Sequence, residues 1–385
     1  MPWRRESPMD QKVKLVSDWL VGDYSKSALA RIYGISRPTV DKWLTRYEHD
    51  GVTGLAERSR APLSHPNQMP SWMADALIAA KLKHQDWGPK KLVAVLQRAQ
   101  PGVSWPAPST VGELLKRQGL VQRRKRRRSA PPYTEPFKEG LLPNQVWSID
   151  YKGQFRTGDG RWCYPLTVTD NASRYLLACR GLLRPSLADT RPWLEKAFRN
   201  YGLPDAIRSD NGSPFASVGL AGLSRLSVWW IRLGIVPERI ESGRPDQNGR
   251  HERMHRTLKD SVITPPAAAL RQQQQAFERF RQEFNGVRPH ESLGMETPVS
   301  HYRASERRYP EKLPEVEYSG DHPVRRVRSN GEIKWRGELI YTSQALIGEP
   351  VEMKEHPKGG WDLYFHRYRL GHLAINDGLI RPPKV

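Results

Sequence analysis

Three acidic residues in the middle of the chain constrain its fold and chemistry more than any other feature. Asp150 lies in a stretch where polar and apolar side chains alternate, which predicts a β-strand with Trp147 and Ile149 on the opposite face. A carboxylate in the middle of a strand is costly to bury without a partner. Asp150 therefore needs a counter-charge, a metal ion or a catalytic role.

The second acidic residue, Asp210, follows a short predicted strand, residues 206–209, and precedes Asn211 and Gly212. In an open α/β sheet, side chains at the carboxyl end of a strand face the crevice where ligands bind. Asp-Asn-Gly alone is also a common turn sequence. By itself, this sequence could be a simple turn. Together with the other two acids, it predicts that Asp210 faces a ligand.

The third acidic residue, Glu252, lies in the first turn of a helix predicted over about residues 250–262. The apolar positions that should pack inward recur at i, i+4 and i+8: Met254, Leu258 and Val262. A separate, exposed face is predicted to carry Glu252, Arg256 and Lys259. An acid and two bases would therefore share one solvent-facing stripe.

Three carboxylates from two strands and a helix form the oxygen cage that Mg²⁺ or Mn²⁺ prefers. Two such ions, about 3.5–4 Å apart, serve in-line displacement at a phosphodiester. This is the chemistry of nucleases, polymerases and strand transferases. Arg256 and Lys259 would hold the DNA phosphates beside the metals.

Two other groups compete for the metal site. Asp170 also ends a predicted strand, but the turn Asn171-Ala172-Ser173 follows it, and aspartate in such a turn commonly accepts from backbone amides. His251 and His255 form an i, i+4 pair that could ligate zinc. Because no third soft ligand is at hand, we expect these histidines to face solvent or touch phosphate.

The composition points to a nucleic acid as partner. The 385 residues, enough for two to four domains, include 62 Lys and Arg against 41 Asp and Glu, a net charge of +21. No apolar run reaches the ~18–20 residues of a spanning helix, and the first residues lack an apolar signal core. We therefore expect a cytoplasmic protein. Cys163 and Cys179 are predicted to be buried free thiols, since no zinc site is evident.

The N-terminal residues, 9–50, are predicted to form a helix-turn-helix with helices at 10–20, 25–33 and 37–47, the last capped by Ser36. Its core positions are Ala30, Ile35, Val40 and Leu44. The third helix should enter a major groove, where the candidate DNA contacts are Arg37, Thr39, Lys42 and Arg46. The alternative is a three-helix bundle that mediates only protein contacts.

Residues 51–70 are predicted to be a linker, and residues 71–121 a second helical unit whose third helix begins at a capping box, Thr110 to Glu113. A basic linker, residues 122–140, follows. It contains six consecutive bases that could track phosphates: Arg123, Arg124, Lys125, Arg126, Arg127 and Arg128.

Residues 141–305 are predicted to alternate strands and helices. Three strands come first, a helix spans residues 187–201, two further strands flank a helix at 222–233, and a long helix covers 265–285. Residues 320–385 show short alternating runs separated by glycine, as in a small β-barrel.

The ordered set of motifs resembles the DDE insertion-sequence transposases, whose catalytic core is shared with retroviral integrases. The motifs are Asp150; Asp210-Asn211-Gly212; Pro245-x-x-Asn248-Gly249-x-x-Glu252; Leu166-Thr167-Val168-x-Asp170-x-x-Ser173-Arg174-Tyr175; and Asn285-x-x-Arg288-Pro289-His290. The Asp210–Glu252 interval is longer than the family's usual one, which we interpret as an insertion within residues 217–227.

This resemblance implies a multidomain α+β protein: all-α helix-turn-helix units, an α/β ribonuclease-H-like core with a five-stranded mixed sheet, and a C-terminal SH3-like barrel. It implies two Mg²⁺ (or Mn²⁺) ions held by Asp150, Asp210 and Glu252. The DNA end should lie at the loop carrying Arg244 and Asn248.

The resemblance also implies the activity and the partners. The chain should bind the terminal repeats of its element as a dimer or larger multimer, cleave one strand and join it to target double-stranded DNA, in the cytoplasm at the bacterial nucleoid. The alternatives are a catalytically silent DNA-binding protein or repressor derived from a transposase, and a simple metal-dependent nuclease.

Overall fold

The computed structural model describes residues 7–59, 68–121, 140–217, 219–241, 249–374 and 380–381. It divides into two compact units, Met1–Gln68 and Met69–Val385. The six-base run at residues 123–128, and the loop residues Arg244 and Asn248, lie outside the described residues. None of the described helices is long and apolar enough to cross a membrane.

The first unit is the predicted three-helix arrangement, with α1 at Pro8–Val21, α2 at Lys26–Ile32 and α3 at Arg37–Asp50. Ser7 and Ser25 accept hydrogen bonds from the first turns of α1 and α2. The predicted core positions all pack in one cluster, together with Leu55. The expectation of a linker from residue 51 is therefore wrong at its start, because Leu55, in a 3₁₀ turn, is fully buried.

The second unit begins with three helices, α4 at Ser71–Lys83, α5 at Pro89–Ala99 and α6 at Pro108–Arg117. Their core contains Leu77, Trp87, Leu92, Val111 and Leu115. The predicted capping box is wrong. Helix α6 begins at Pro108, which has the backbone geometry suited to a first helical position, so Thr110 lies inside the helix and caps nothing.

A mixed sheet follows. Its strands are β1 (Val146–Tyr151), β2 (Phe155–Arg156), β3 (Trp162–Asp170), β4 (Leu176–Leu182), β5 (Ala206–Ser209) and β6 (Val236–Arg239). Strand β3 pairs antiparallel with β1, β2 and β4, whereas β5 runs parallel to both β1 and β6. The sheet has six strands where five were expected, because the chain after β1 returns to the start of β3 and pairs Phe155 with Cys163.

Helices cover both faces of this sheet. They are α7 (Leu187–Tyr201), α8 (Arg225–Arg232), α9 (Gly249–Leu258), α10 (Leu270–Gly286) and α11 (Pro298–His301). Trp147 and Ile149 of β1 pack with α7 and α8, while Cys163 and Cys179 pack with α9 and α10. Both thiols are buried and free, as predicted.

Two of these helices begin later than expected. Helix α10 starts at Leu270 and not at 265, because the backbone at Ala269 is extended and Pro265 and Pro266 lack amide hydrogens. Helix α8 starts at Arg225, since Ser224 accepts from the Ser227 amide and caps it.

The C-terminal region is rich in β-structure. Strands β7 (Val324–Arg326), β10 (Pro350–Glu355), β11 (Trp361–Phe365), β12 (Tyr368–Leu373) and β13 (Ile380–Arg381) form one sheet, and β8 (Glu332–Trp335) pairs with β9 (Glu338–Tyr341). Val351 and Leu363 of this region share a hydrophobic core with Val228 and Ile231 of α8. The C-terminal strands therefore pack directly on helix α8, which covers one face of the six-stranded sheet.

Candidate active site

Asp150 lies on the face of β1 that is turned away from the α7–α8 core, directly opposite Thr167 of β3. This follows from strand alternation, because Trp147 and Ile149 occupy the apolar face and Ser148 and Asp150 the other. Only 21% of the Asp150 side chain is exposed. The predicted strand and the predicted facing of its side chains are confirmed.

Asp210 follows β5 and is half-buried. Strand β5 is parallel to β1, so its carboxyl end reaches the same edge of the sheet. The Gly212 amide donates to Asp210 Oδ1 at 3.1 Å, and the Asn211 side-chain amide donates to the Ile240 carbonyl at 2.7 Å. A side chain at position 212 would begin 3.1 Å from the Asp210 carboxylate, so glycine leaves that carboxylate accessible.

Glu252 lies in the first turn of α9 and is exposed, as are Arg256 and Lys259. Met254 and Leu258 are buried on the opposite side of the helix and fix it against the sheet. The predicted division into an inward apolar face and an exposed charged face is confirmed over α9, but the helix ends at Leu258 and not at 262, because a π-helical turn, Lys259–Ile263, follows it.

The three carboxylates interact electrostatically. The pKa of Asp150 is raised to about 7, mainly by burial, then by the negative charge of Asp210, with a smaller contribution from Glu252. Asp210 and Glu252 thus lie close enough to Asp150 to interact with it electrostatically, whereas the ligand atoms that lie within 4.8 Å of one another among the described residues are those of Asp150, His251 and His255. A divalent cation among the three carboxylates would relieve the repulsion that raises this pKa.

The expectation for the two histidines is wrong. His251 and His255 are 1% and 5% exposed and point from α9 into the sheet. The Thr167 hydroxyl lies 2.7 Å from Nε2 of each ring, and the Thr169 hydroxyl lies 2.8 Å from His251 Nδ1. Burial lowers the pKa of His251 to about 3 and of His255 to about 2, so both rings are neutral at physiological pH.

A sequence signal for this burial existed. Positions 251, 254, 255 and 258 follow the i, i+3, i+4, i+7 spacing of one helix face, and two of them are the apolar residues already predicted to pack inward. Thr167 and Thr169, the hydroxyl partners, carried no comparable signal because their pairing depends on how α9 lies across β3.

Asp170 has the structural role that the sequence predicted. It is 1% exposed and accepts hydrogen bonds from the Ser173 amide and hydroxyl, at 2.8 and 2.6 Å, and from the Asn144 amide, at 2.7 Å. These donors satisfy the carboxylate within the turn after β3.

The predicted groove-binding residues lie on α3 in the first unit. Arg37 and Lys42 are exposed. Thr39 is half-buried and bonds to the Ser36 hydroxyl at 2.8 Å, and the Arg46 guanidinium packs 5.0 Å from the centre of the Trp43 ring. Arg37 and Lys42 are thus the more accessible of the four.

Models of known protein families match the six-stranded sheet and the regions before and after it in the sequence. Two models, both described as an integrase core domain, match residues 141–245 and 233–298. A helix-turn-helix domain matches residues 11–62, and a homeodomain-like domain matches residues 39–115. The C-terminal domain of the IS481 family transposases matches residues 322–378.

Two bacterial relatives agree with these matches. The 31.7 kDa protein of insertion element IS407 from Burkholderia multivorans is 26% identical over 61% of this chain and 80% of its own length. The 39.2 kDa protein of insertion element IS476 from Xanthomonas euvesicatoria is 26% identical over 64% of this chain and 69% of its own length. By these matches the chain resembles the insertion-sequence transposases that have a retroviral-integrase-like core.

Viral proteins match this chain over a shorter span. The Gag-Pol polyprotein of baboon endogenous virus is 31% identical over 32% of this chain but only 7% of its own length. The solved HTLV-2 integrase catalytic core domain, in complex with magnesium, covers 43% of this chain at 18% identity with a TM-score of 0.34.

Proposed function

We propose that this chain binds the terminal repeats of its mobile element, cleaves one DNA strand in a metal-dependent reaction and joins the freed 3′ end to target DNA. The observation that carries the proposal is geometric: Asp150 and Asp210 lie at the same ends of the parallel strands β1 and β5, and Glu252 lies on α9, whose His255 Nδ1 is 3.6 Å from Asp150 Oδ2. The integrase core domain matches and the insertion-element relatives support the same reaction class.

The three carboxylates fit a divalent metal centre. Their donor atoms are hard oxygens, and the negative charges of Asp210 and Glu252 raise the pKa of Asp150 against the opposing charge of Lys152. We propose that Asp150, Asp210 and Glu252 are the catalytic residues and hold two Mg²⁺ (or Mn²⁺) ions. When bound, such ions supply activation of the attacking oxygen and stabilisation of the leaving oxygen in an in-line displacement.

Apart from binding the metal ions, the protein would contribute to catalysis by holding the carboxylates and the DNA phosphates in fixed positions. Asp150 is held by a strand in the middle of the sheet, and Glu252 is held by a helix anchored through its buried face, so both carboxylates have rigid supports. Arg256 and Lys259, exposed beside Glu252, are proposed to hold DNA phosphates.

DNA recognition is assigned to the first unit, to the basic run that precedes the core and to a loop within the core. We propose that α3 contacts the element end through Arg37, Thr39, Lys42 and Arg46. The basic run at residues 123–128 would contact phosphates without reading sequence. Arg244 and Asn248, by their proximity in sequence to Glu252, are proposed to contact the DNA near the cleaved bond.

The assembly and domain plan are also proposals. Cleaving and joining two element ends together requires at least a homodimer on DNA. The boundaries proposed for the functional pieces are 9–50, extended to Leu55 by the buried 3₁₀ turn, 71–121, 141–305 and 320–385, the last as an SH3-like barrel, with the residues from 56 to 70 and from 122 to 140 as linkers. We also propose that the protein acts in the cytoplasm at the bacterial nucleoid; its relatives come from bacterial insertion elements.

The test is a plasmid assay on DNA that carries the sequences flanking this gene, with Mg²⁺ or Mn²⁺. Wild type should nick and join ends, whereas Glu252→Gln should bind the same DNA and yield no product. A Glu311→Gln variant, an exposed glutamate outside the carboxylate cluster, should react like wild type.

If both wild type and Glu252→Gln bind and neither reacts with any metal, the protein is a silent DNA-binding derivative and the catalytic assignment is lost. Nicking without any joined product would instead make it a simple nuclease.

A further inference from the structure

Beside the three carboxylates lies a nitrogen atom that the proposed reaction does not use. His255 Nδ1 is 3.6 Å from Asp150 Oδ2. Asp150, His251 and His255 offer ligand atoms within 4.8 Å of one another. In a cluster of one carboxylate and two imidazoles, only a ring nitrogen that is not engaged in a hydrogen bond can bind a metal ion.

His251 has no free nitrogen. Its Nε2 lies 2.7 Å from the Thr167 hydroxyl, and its Nδ1 lies 2.8 Å from the Thr169 hydroxyl. Both hydroxyls belong to β3 and the ring is 1% exposed. His251 therefore anchors α9 to the sheet and is excluded as a ligand.

The Thr167 hydroxyl determines the tautomer of His255. A threonine hydroxyl has one hydrogen to donate and two lone pairs to accept with. Its partners are the Asp150 carbonyl at 3.1 Å, which can only accept, and Nε2 of each histidine at 2.7 Å. When Thr167 donates to that carbonyl, all three contacts are satisfied only if both Nε2 atoms carry hydrogen.

With hydrogen on Nε2, the neutral His255 ring has its lone pair on Nδ1, facing Asp150. We infer that His255 Nδ1 is a nitrogen ligand to the divalent cation held by Asp150, a role that rests on the function proposed above. The centre would then combine oxygen donors with one imidazole, a set that favours Mn²⁺ over Mg²⁺ more than carboxylates alone do.

The hydroxyl that fixes this ring is the support that metal-binding histidines need. A ligating imidazole nearly always donates its other ring N–H to a fixed acceptor, which sets its tautomer and orientation. Here Thr167 is that acceptor, and it is fully buried in the middle of β3.

Electron spin echo envelope modulation of the full chain with Mn²⁺ alone tests the inference, because the method detects a nitrogen bonded to manganese. The protein is prepared without a histidine tag. Wild type should show ¹⁴N modulation, and selective ¹⁵N labelling of its 11 histidines should change the pattern to that of ¹⁵N.

Variants then assign the nitrogen. His255→Gln should lose the modulation and weaken Mn²⁺ binding by ~10-fold or more. The control is His301→Asn. The His301 side chain is 38% exposed on α11 and pairs with Glu296, so this variant should keep both the ¹⁴N modulation and the Mn²⁺ affinity of wild type. If His255→Gln does not fold, the labelled wild type still decides, since His251 has both nitrogens engaged.

The outcomes separate this inference from the proposed function. Mn²⁺ that binds in wild type and is lost in Asp150→Asn, but shows no ¹⁴N modulation or keeps it in His255→Gln, overturns the role of His255 and leaves the carboxylate site standing. Mn²⁺ binding that is absent, or unchanged in Asp150→Asn, removes the carboxylate site and this inference together.

Discussion

Thr167 is the single residue on which the geometry of the candidate site depends most. Its hydroxyl contacts both buried histidines and the Asp150 carbonyl. Thr167→Val keeps the shape but leaves the Nε2 atoms of His251 and His255 without a partner, and each unsatisfied buried group costs about 1–3 kcal/mol. We expect the variant to lose about 2–4 kcal/mol of unfolding free energy in urea denaturation.

Thr167→Ser is the matched control, because serine restores the hydroxyl and removes only a methyl group. It should retain most of the stability lost in the valine variant. Equal losses in the two variants would mean that packing, and not hydrogen bonding, holds this position.

His290 makes stability depend on pH at a distance from the carboxylates. Burial lowers the pKa of its imidazole to about 3, helped by the charges of Lys91 and Arg288, and its Nε2 has no hydrogen-bond partner within the described residues. The unfolded chain binds a proton here below about pH 6.5. Because the folded chain does not until about pH 3, acid removes up to about 1.4 kcal/mol per pH unit between these values.

His290→Phe removes this titration and keeps an aromatic ring beside Phe284, whose ring centre lies 4.7 Å away. The melting temperature of the variant should gain on that of wild type as the pH falls from 6.5 towards 4.5. A difference between the two proteins that stays constant with pH would show that His290 titrates normally.

Residue identities in the site were predictable only in part. Asp150, Asp210 and Glu252 stood out because each carboxylate conflicted with its predicted local environment or ended an element. The burial of His251 and His255 was not predicted, because a histidine by itself is compatible with either solvent or core; only its spacing with Met254 and Leu258 indicated the buried face. Their environment is set by Thr167 and Thr169, residues on a strand far away in sequence.

At the scale of elements, a few polar side chains near the end of α10 hold helices α4–α6 against the rest of the second unit. Arg288 Nη1 lies 2.6 Å from Asp86 Oδ2, with the two side chains 11% and 30% exposed. The Arg288 guanidinium also lies 5.8 Å from the centre of the Trp87 ring. Arg288 belongs to one of the motifs that the sequence singled out, and this docking contact gives it a structural role.

Removing the acid should loosen these helices. Asp86→Asn leaves a mostly buried guanidinium without its counter-charge, at a cost of about 1–3 kcal/mol once its partial exposure is allowed for. Hydrogen exchange in residues 71–117 should become faster by tenfold or more.

The neighbouring pair of Lys90 and Glu291, 3.0 Å apart with side chains 65% and 62% exposed, provides the control. Lys90→Gln should cost less than about 1 kcal/mol, because exposed ion pairs contribute little. Equal effects at the two sites would contradict a specific role for Arg288.

Most elements of the core were predictable, and the exceptions have physical causes. Helix α7 spans the predicted residues because Ser186 caps it and Gly202 ends it. Strand β2 was missed because two residues are too few to show an alternation, and its pairing with β3 is tertiary. The packing of the C-terminal strands on α8 was also invisible, since it joins positions about a hundred residues apart.

At the scale of the whole molecule, the excess of 62 basic over 41 acidic residues is the dominant feature. Each phosphate neutralised by a bound cation adds about 0.9 to the dependence of log affinity on log salt concentration. Replacing the six bases at residues 123–128 with alanine should lower that slope by up to about 5.

The measurement is DNA binding at several salt concentrations, by fluorescence anisotropy, on a duplex from the element end and on a scrambled duplex. The change in slope should be the same on both, since phosphate contacts do not read sequence. A slope that does not change would place the basic run away from DNA.

The central claim is that Asp150, Asp210 and Glu252, from three separate elements, act as one metal site. The most direct measurement is Mn²⁺ binding to the full chain, followed by the loss of the free-ion electron paramagnetic resonance signal. The proteins compared are wild type, Asp150→Asn, Asp210→Asn, Glu252→Gln and the control Glu311→Gln. We predict that each of the three site substitutions weakens binding tenfold or more while the control matches wild type. Wild-type affinity in any one of the three would contradict the claim.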